Sequence, residues 1–400
     1  MLALRLARGS HPLVLMRRLL VAAASAGVGF LLLCALGYAS GHPAHSTGAV
    51  LRLLWCFVPL AATVQFAVAV ARTDPSTRPR SGLSAVGLGP VKFTMLAAVS
   101  TAVSCSLGSM VALLLFLHLR GDLSGLPFDG AAAGLLDADA PLPLAAVLVL
   151  LALVPVSAAT ASALALRNRP VSTASGVSAT VGDDDPVDAL PQDLPPAPAA
   201  PPTGLPWGVA LTSVGLAVEA YMGGGDGRGL LPLPGRLDAT PAGVLAGWTL
   251  TAIGLAMAGP GLAYLCGRLL QAVRPGAVRL LAGRVLMNEA RRIGGPLGVV
   301  CAVLSAVAAA HALYGTAPRP FGPLTELGAV LVLGCTTATL LTSALEVRQD
   351  RTRTAQALLT LGAPASALRA ATALRAAVLL LVFAPLTWLI AELAALPLTA

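Results

Sequence analysis

Residues 141–169 read PLPLAAVLVLLALVPVSAATASALALRNR. No charge falls in 141–166, and two arginines, Arg167 and Arg169, follow at once. A helix needs about 20 predominantly apolar residues to cross about 30 Å of hydrocarbon. A basic exit marks the side of the membrane on which arginine collects. This stretch therefore reads as a membrane-spanning helix with a defined direction.

Working outward, the same unit recurs along the chain. The 400 residues are 56% hydrophobic and 11% charged, with a mean hydropathy of +0.82. A water-soluble domain of this length needs a far more charged surface, so lipid is the solvent this composition suits. Nine spans are expected, near 18–40, 51–72, 93–118, 141–166, 206–222, 242–266, 296–314, 326–347 and 374–395. The fold class is an all-α polytopic membrane protein.

Orientation follows from the arginines. Arg5, Arg8, Arg17 and Arg18 precede the first span, and Arg72, Arg78, Arg80 and Lys92 separate the second from the third. Arg268, Arg274, Arg279, Arg284, Arg291 and Arg292 lie between the sixth and seventh, and Arg348, Arg351, Arg353, Arg369 and Arg375 between the eighth and ninth. The alternate loops are poor in arginine; one carries Asp122, Asp129, Asp137 and Asp139 against Arg120 alone. The positive-inside rule places the N-terminus and the arginine clusters in the cytoplasm. The net charge of +8 is almost all arginine, with Lys92 the only lysine. It is spread between apolar runs without aromatic platforms, so it reads as a topology signal and not as a nucleic-acid surface. The arginine bias with abundant Ala, Gly and Pro fits a GC-rich bacterial genome, hence a bacterial plasma membrane.

Between about Pro170 and Pro206 the chain turns Pro-, Ala-, Ser- and Asp-rich, with Asp183, Asp184, Asp185, Asp188 and Asp193. Such a segment buries too little apolar surface to offset its ordering entropy and reads as a flexible linker. The expected organisation is a first unit over 1–169, the linker over 170–205, a connecting pair of spans over 206–266, and a second unit over 267–400.

The two units resemble each other at a shift of about 274 residues. Arg5-Leu6 aligns with Arg279-Leu280, Gly9 with Gly283, and Arg17-Arg18 with Arg291-Arg292. With a one-residue slip, Arg78 then aligns with Arg353, Leu83 with Leu358, Val86 with Leu361 and Gly87 with Gly362. Ordered arginine and glycine landmarks at a near-constant shift point to duplication. Both copies run in the same direction, which makes this a parallel repeat. The N-terminus imitates a signal peptide, but the internal copy of its layout argues against its removal.

The segment from Glu346 to Pro364 reads EVRQDRTRTAQALLTLGAP. Charges come first, then Leu358 and Leu361 three apart on one helical face, then Gly362 where a helix can stop. A short amphipathic helix at the membrane surface is expected. The residues themselves leave open whether it re-enters the interface or presents a docking surface to a partner.

At these positions the chain resembles the FtsX-like permease family of ABC transporters, which includes MacB-type permeases. Arg351, Arg353, Leu358, Leu361, Gly362 and Ala363 match that family's charged run and Leu-x-x-Leu-Gly-Ala element. Arg78, Leu83, Val86 and Gly87 match it more loosely, with Leu88 in place of the alanine. Residues 153–170 are similar to the family's fourth helix and its basic exit, and the likeness covers about 1–170 and 279–395. The resemblance implies that both segments are coupling helices resting on a dimer of ABC-type ATPase subunits. It also implies ten spans and an amphiphilic substrate worked on by mechanical transmission. Two departures stand out: the loops at 41–50 and 315–325 are too short for the family's extracytoplasmic domain, and the second copy lacks a counterpart of the fourth span.

Chemistry of the chain's own is not legible. A phosphate-binding loop needs Gly-Lys-Ser/Thr, and Lys92 lies between Val91 and Phe93. His42 and His45 form an HxxH without an acidic or cysteine neighbour, which reads as a solvated loop. The cysteines Cys34, Cys56, Cys105, Cys266, Cys301 and Cys335 read as small hydrophobes. Glu219, one turn before Gly223, reads as a side chain reaching interfacial water, and Glu392 as a similar case. No enzyme activity, metal or cofactor is expected. The sequence reading is a permease subunit coupled to a separate ATPase. An ATP-independent secondary transporter and a degenerate scaffold or sensor subunit are the alternatives.

Overall fold

The computed structural model describes residues 12–44, 46–73, 90–123, 129–134, 136–167, 201–223, 242–272, 276–314, 322–362 and 364–399. These form nine helices: α1 Pro12–Gly41, α2 Ser46–Thr73, α3 Pro90–Arg120, α4 Leu144–Arg167, α5 Gly204–Gly223, α6 Ala242–Gln271, α7 Ala277–Tyr314, α8 Pro323–Thr360 and α9 Ala365–Thr399. Among the described residues no strand occurs. Only helices satisfy their backbone polar groups within a single segment, which suits a chain this apolar to lipid. Eight of the nine are long and apolar enough to cross a membrane; α5, of 20 residues and interrupted by Glu219, is the one left out. Large apolar side chains such as Met95, Leu148, Leu380 and Trp388 point outward. In water this surface would drive aggregation; in lipid it costs nothing. The chain is a multi-pass membrane protein.

Lipid tails are as apolar as leucine, so the helices associate by close packing and interhelical hydrogen bonds. In the first unit α1 packs against α3, where Ser25 Oγ donates to the Cys105 carbonyl at 2.8 Å. Next, α3 packs on α4, where Ser109 Oγ donates to the Leu151 carbonyl at 3.2 Å. The second unit repeats the first contact: α7 packs against α9, with Cys301 Sγ and Thr387 Oγ1 2.9 Å apart. The units meet where α8 lies against α1 and α2. There Thr63 Oγ1 stands 3.5 Å from Cys335 Sγ, and Leu331 packs over Gly27. In the first unit α4 packs against α1, α2 and α3, whereas α6 lies along α7 with α5 outside it.

In the second unit α7, α8 and α9 have 38, 38 and 35 residues. A 38-residue helix is about 57 Å long, nearly twice the hydrocarbon thickness. The surplus of α7 is about its first two-fifths, with Arg279, Arg284, Arg291 and Arg292, and that of α8 is about its last two-fifths, from Glu346 onward. Both project on the arginine-rich face. This corrects one expectation: the separate amphipathic helix after Glu346 is instead the unbroken end of α8. The physical reason is composition: residues 346–360 contain no Gly or Pro, and Ala, Leu, Gln, Glu and Arg all propagate a helix. The corresponding segment of the first unit, with Arg78, Leu83, Val86 and Gly87, and nearly all of the Asp-rich linker lie outside the described residues.

On the opposite face the aspartate-bearing loop folds down over α1. Arg120, only 5% exposed, donates Nη2 to the carbonyls of Ala138 (3.0 Å) and Ala140. His42 stacks on Tyr38 with ring centroids 4.4 Å apart and lies 3.5 Å from Asp137, while the Arg52 guanidinium covers the Tyr38 ring at 3.5 Å. Thus Arg120, expected as a lone loop charge, is the buried post around which that loop closes.

Candidate docking site on the arginine-rich face

The tip of the second unit is the turn between α8 and α9. Gly362 ends α8 in the left-handed region at φ +89°, and its N–H donates to the Leu359 carbonyl at 3.0 Å. Nothing lies within 4 Å of where a Cβ would stand, so it is backbone conformation that favours glycine here, not crowding. After Pro364, α9 starts with the Ala367 N–H on the Pro364 carbonyl. The turn displays Leu359, 45% exposed, and Leu361, 83% exposed. Because α8 stops at Thr360, Leu361 sits in the turn, and the expected helical face shared by Leu358 and Leu361 is not formed. Arg353 and Leu358 lie on the backbone of α8, and their side chains are outside the described set.

Below the tip is an ionic cluster joining three helices. Glu289 of α7 accepts from Nε of Arg351 on α8 and forms an ion pair with its Nη2. Arg375 of α9, 9% exposed, donates Nε to the Ala371 carbonyl at 3.1 Å and Nη2 to Thr372 Oγ1 at 3.0 Å. Its Nη1 is buried without a hydrogen-bond partner. Burial, with the Arg375 guanidinium adding to it, pulls Arg351 down to about 10 from its ordinary 12.5. Two cations and one carboxylate thus share a partly dry site, and the shared acid holds the end of α8 to α7.

This cluster stands on an apolar base. Cys266 and Leu270 of α6, Ala282 and Leu286 of α7 and Ala371 of α9 pack together. Gly267 and Gly283 bring α6 and α7 into backbone contact, and Gln271 Nε2 donates to Met287 Sδ at 3.1 Å. The ends of α6, α7 and α9 pack together, and the Glu289–Arg351 pair ties to α7 the end of α8 that carries the exposed leucines. Of the residues expected to dock a partner, the structure places Arg351 in the ionic cluster and Leu361 and Gly362 at the tip. Glu289 and Arg375 were not singled out as site residues. Glu289 is nonetheless the only acid between Gly267 and Gly295, which was the legible signal.

A second polar feature lies between α5 and α6. Glu219 is fully buried, and it does not reach interfacial water as expected. It faces inward because Gly247 has no side chain there: a Cβ on Gly247 would stand 2.5 Å from Glu219 Cγ. Thr251 Oγ1 donates to Oε1 at 3.2 Å, and Oε2 has no partner. No known protein family, curated protein or solved structure matches the chain.

Proposed function

We propose that the chain is the membrane-spanning subunit of an ABC-type transporter or mechanotransmission complex, resembling the FtsX-like permeases. It sits in a bacterial plasma membrane with its N-terminus and arginine-rich face in the cytoplasm. The observation that carries this reading is the α8–α9 tip. A helix that outruns the bilayer, is clasped to its neighbour by Glu289–Arg351 and ends in two exposed leucines has the form of a lever with an apolar contact point. On this reading an ATPase, as a dimer, receives Leu359 and Leu361. Nucleotide-driven closure then pushes the lever, and the clasp passes the displacement to α7 and α9 as rigid-body motion. The work falls on an amphiphilic substrate at or beyond the far face, and the chain itself performs no catalysis.

The test is an affinity pull-down of the tagged chain from native membranes in mild detergent, with mass spectrometry of what accompanies it. A near-stoichiometric ABC-type ATPase, lost on Leu361→Asp, is the expected result. Leu361 is 83% exposed, so this substitution leaves the fold intact. Recovery of the chain alone in several detergents sinks the reading.

One observation favours a second reading. An ATP-independent secondary transporter needs an ionisable group within the membrane, and the buried Glu219 supplies one. Transport by the reconstituted chain under an ion gradient alone is the outcome that would select it.

A further inference from the structure

Glu219 takes no part in the docking lever. It lies 15 residues into α5, about 22 Å along the helix from Gly204. Its partners Gly247 and Thr251 are within the body of α6. The carboxyl is therefore enclosed between two helix walls, about one turn before α5 ends at Gly223. The crossing is tight: a Cβ on Gly215 would stand 2.6 Å from the Thr251 nitrogen and 2.8 Å from the Gly247 carbonyl.

The charge surroundings are equally restrictive. The elements packed on α5 are α6 and α9. Arg268 is the only charged residue of α6 and stands near the arginine-rich end, with the titratable Tyr264 one turn before it. Besides Arg369 and Arg375 at the same end, α9 carries only Glu392, which is exposed. The other titratable residue of α5 is Tyr221, 81% exposed. Thr251 donates the one hydrogen bond to the carboxyl. Among the described residues the carboxyl has neither a cation nor a second donor beside it; a buried carboxylate so placed is strongly disfavoured, and neutralisation is the ordinary escape. A protonated carboxyl meets the geometry with what is present: one oxygen accepts from Thr251 and the other carries the hydrogen.

From this we infer that Glu219 is a proton-binding site built into the α5–α6 crossing, occupied while the helices are packed and emptied when they part. It provides proton linkage to any motion that separates α5 from α6, and it stands independently of the ATPase reading.

The test uses the full-length chain in mild detergent, with no partner. At neutral pH, where exposed carboxylates are ionised, the chain is treated with dicyclohexylcarbodiimide, which converts protonated carboxyls in apolar surroundings to N-acylureas. Peptide mapping is expected to find the adduct on Glu219, reduced several-fold at alkaline pH and absent in Glu219→Gln. The infrared spectrum of the unaltered chain is expected to show a protonated-carboxyl carbonyl band that Glu219→Gln lacks and that Thr251→Val shifts. That shift reports the hydrogen bond to Oε1, which mere burial would not. Absence of the band at neutral pH overturns the proposal, whatever the labelling shows. Protection of Glu219 by sodium, with the band missing, would assign the site to a metal cation instead.

Discussion

Glu289 is the acid on which the Arg351–Arg375 cluster depends, and the two kinds of change at this site should have opposite signs. In Glu289→Ala the half-buried Arg351 guanidinium, 29% exposed, loses the one carboxylate paired with it among the described residues while Arg375 still repels it. Removing one partner of such a pair leaves an uncompensated charge, and the expected loss is about 1–3 kcal/mol once partial exposure is discounted. Arg375→Met should be neutral or stabilising by about 1 kcal/mol, because it removes a like charge together with a buried, unpartnered Nη1. Thermal unfolding of the two variants in detergent, each against the unaltered chain, checks the signs. At this scale the sequence showed the charges but not their pairing. Both arginines read equally well as topology determinants, because which guanidinium is buried depends on neighbours 24 to 86 residues away in the chain.

Glycines set how closely the helices approach. On α6, a Cβ at Gly259 would stand 2.1 Å from the Gly294 carbonyl of α7 and 3.1 Å from the Gly298 Cα. Backbone cannot yield as a side chain can. Gly259→Ala should therefore force α6 and α7 apart and lower stability by about 1–3 kcal/mol, as overpacking does. Gly334→Ala on α8, where nothing lies within 4 Å of the added carbon, should be neutral or slightly stabilising through helix propensity. The measurement is the denaturation midpoint of each variant by intrinsic fluorescence. Small residues permit close helix packing, and the structure gives Gly259 its partner. At Pro260 α6 continues unbroken. Proline marks where a helix lacks one hydrogen bond, and neighbouring helices decide whether the helix survives the loss.

Membrane topology turns on α5. If this short helix crosses, Arg167 at the end of α4 and Leu361 at the tip lie on one side, and Asp139 in the aspartate loop lies on the other. If it does not cross, the whole second unit is inverted relative to the first. Single Arg167→Cys, Leu361→Cys and Asp139→Cys substitutions, labelled in sealed vesicles with an impermeant thiol reagent, should show the first two sharing a side and the third opposed. The described native cysteines are all buried, so background labelling should be low. Opposite sides for Arg167→Cys and Leu361→Cys would remove α5 from the spans and with it the common orientation of the two units.

From the sequence alone came the solvent, the helical class, eight of the nine span positions and the arginine-rich face. Each rests on local quantities: runs of apolar residues of bilayer length, and charges at their ends. The recurrence of landmarks at a shift of about 274 was legible for the same reason, since it compares one local pattern with another. Only the tertiary structure decided that α8 runs on past its span, that Leu361 stands alone in a turn, and that Glu289 joins Arg351 near Arg375. Only it showed that Glu219 faces a glycine instead of water. These depend on which helices meet and on how deeply each face is covered. A sequence this rich in Ala, Leu, Val and Gly offers many nearly equivalent faces for packing, and close fit among them, more than hydropathy, selects one.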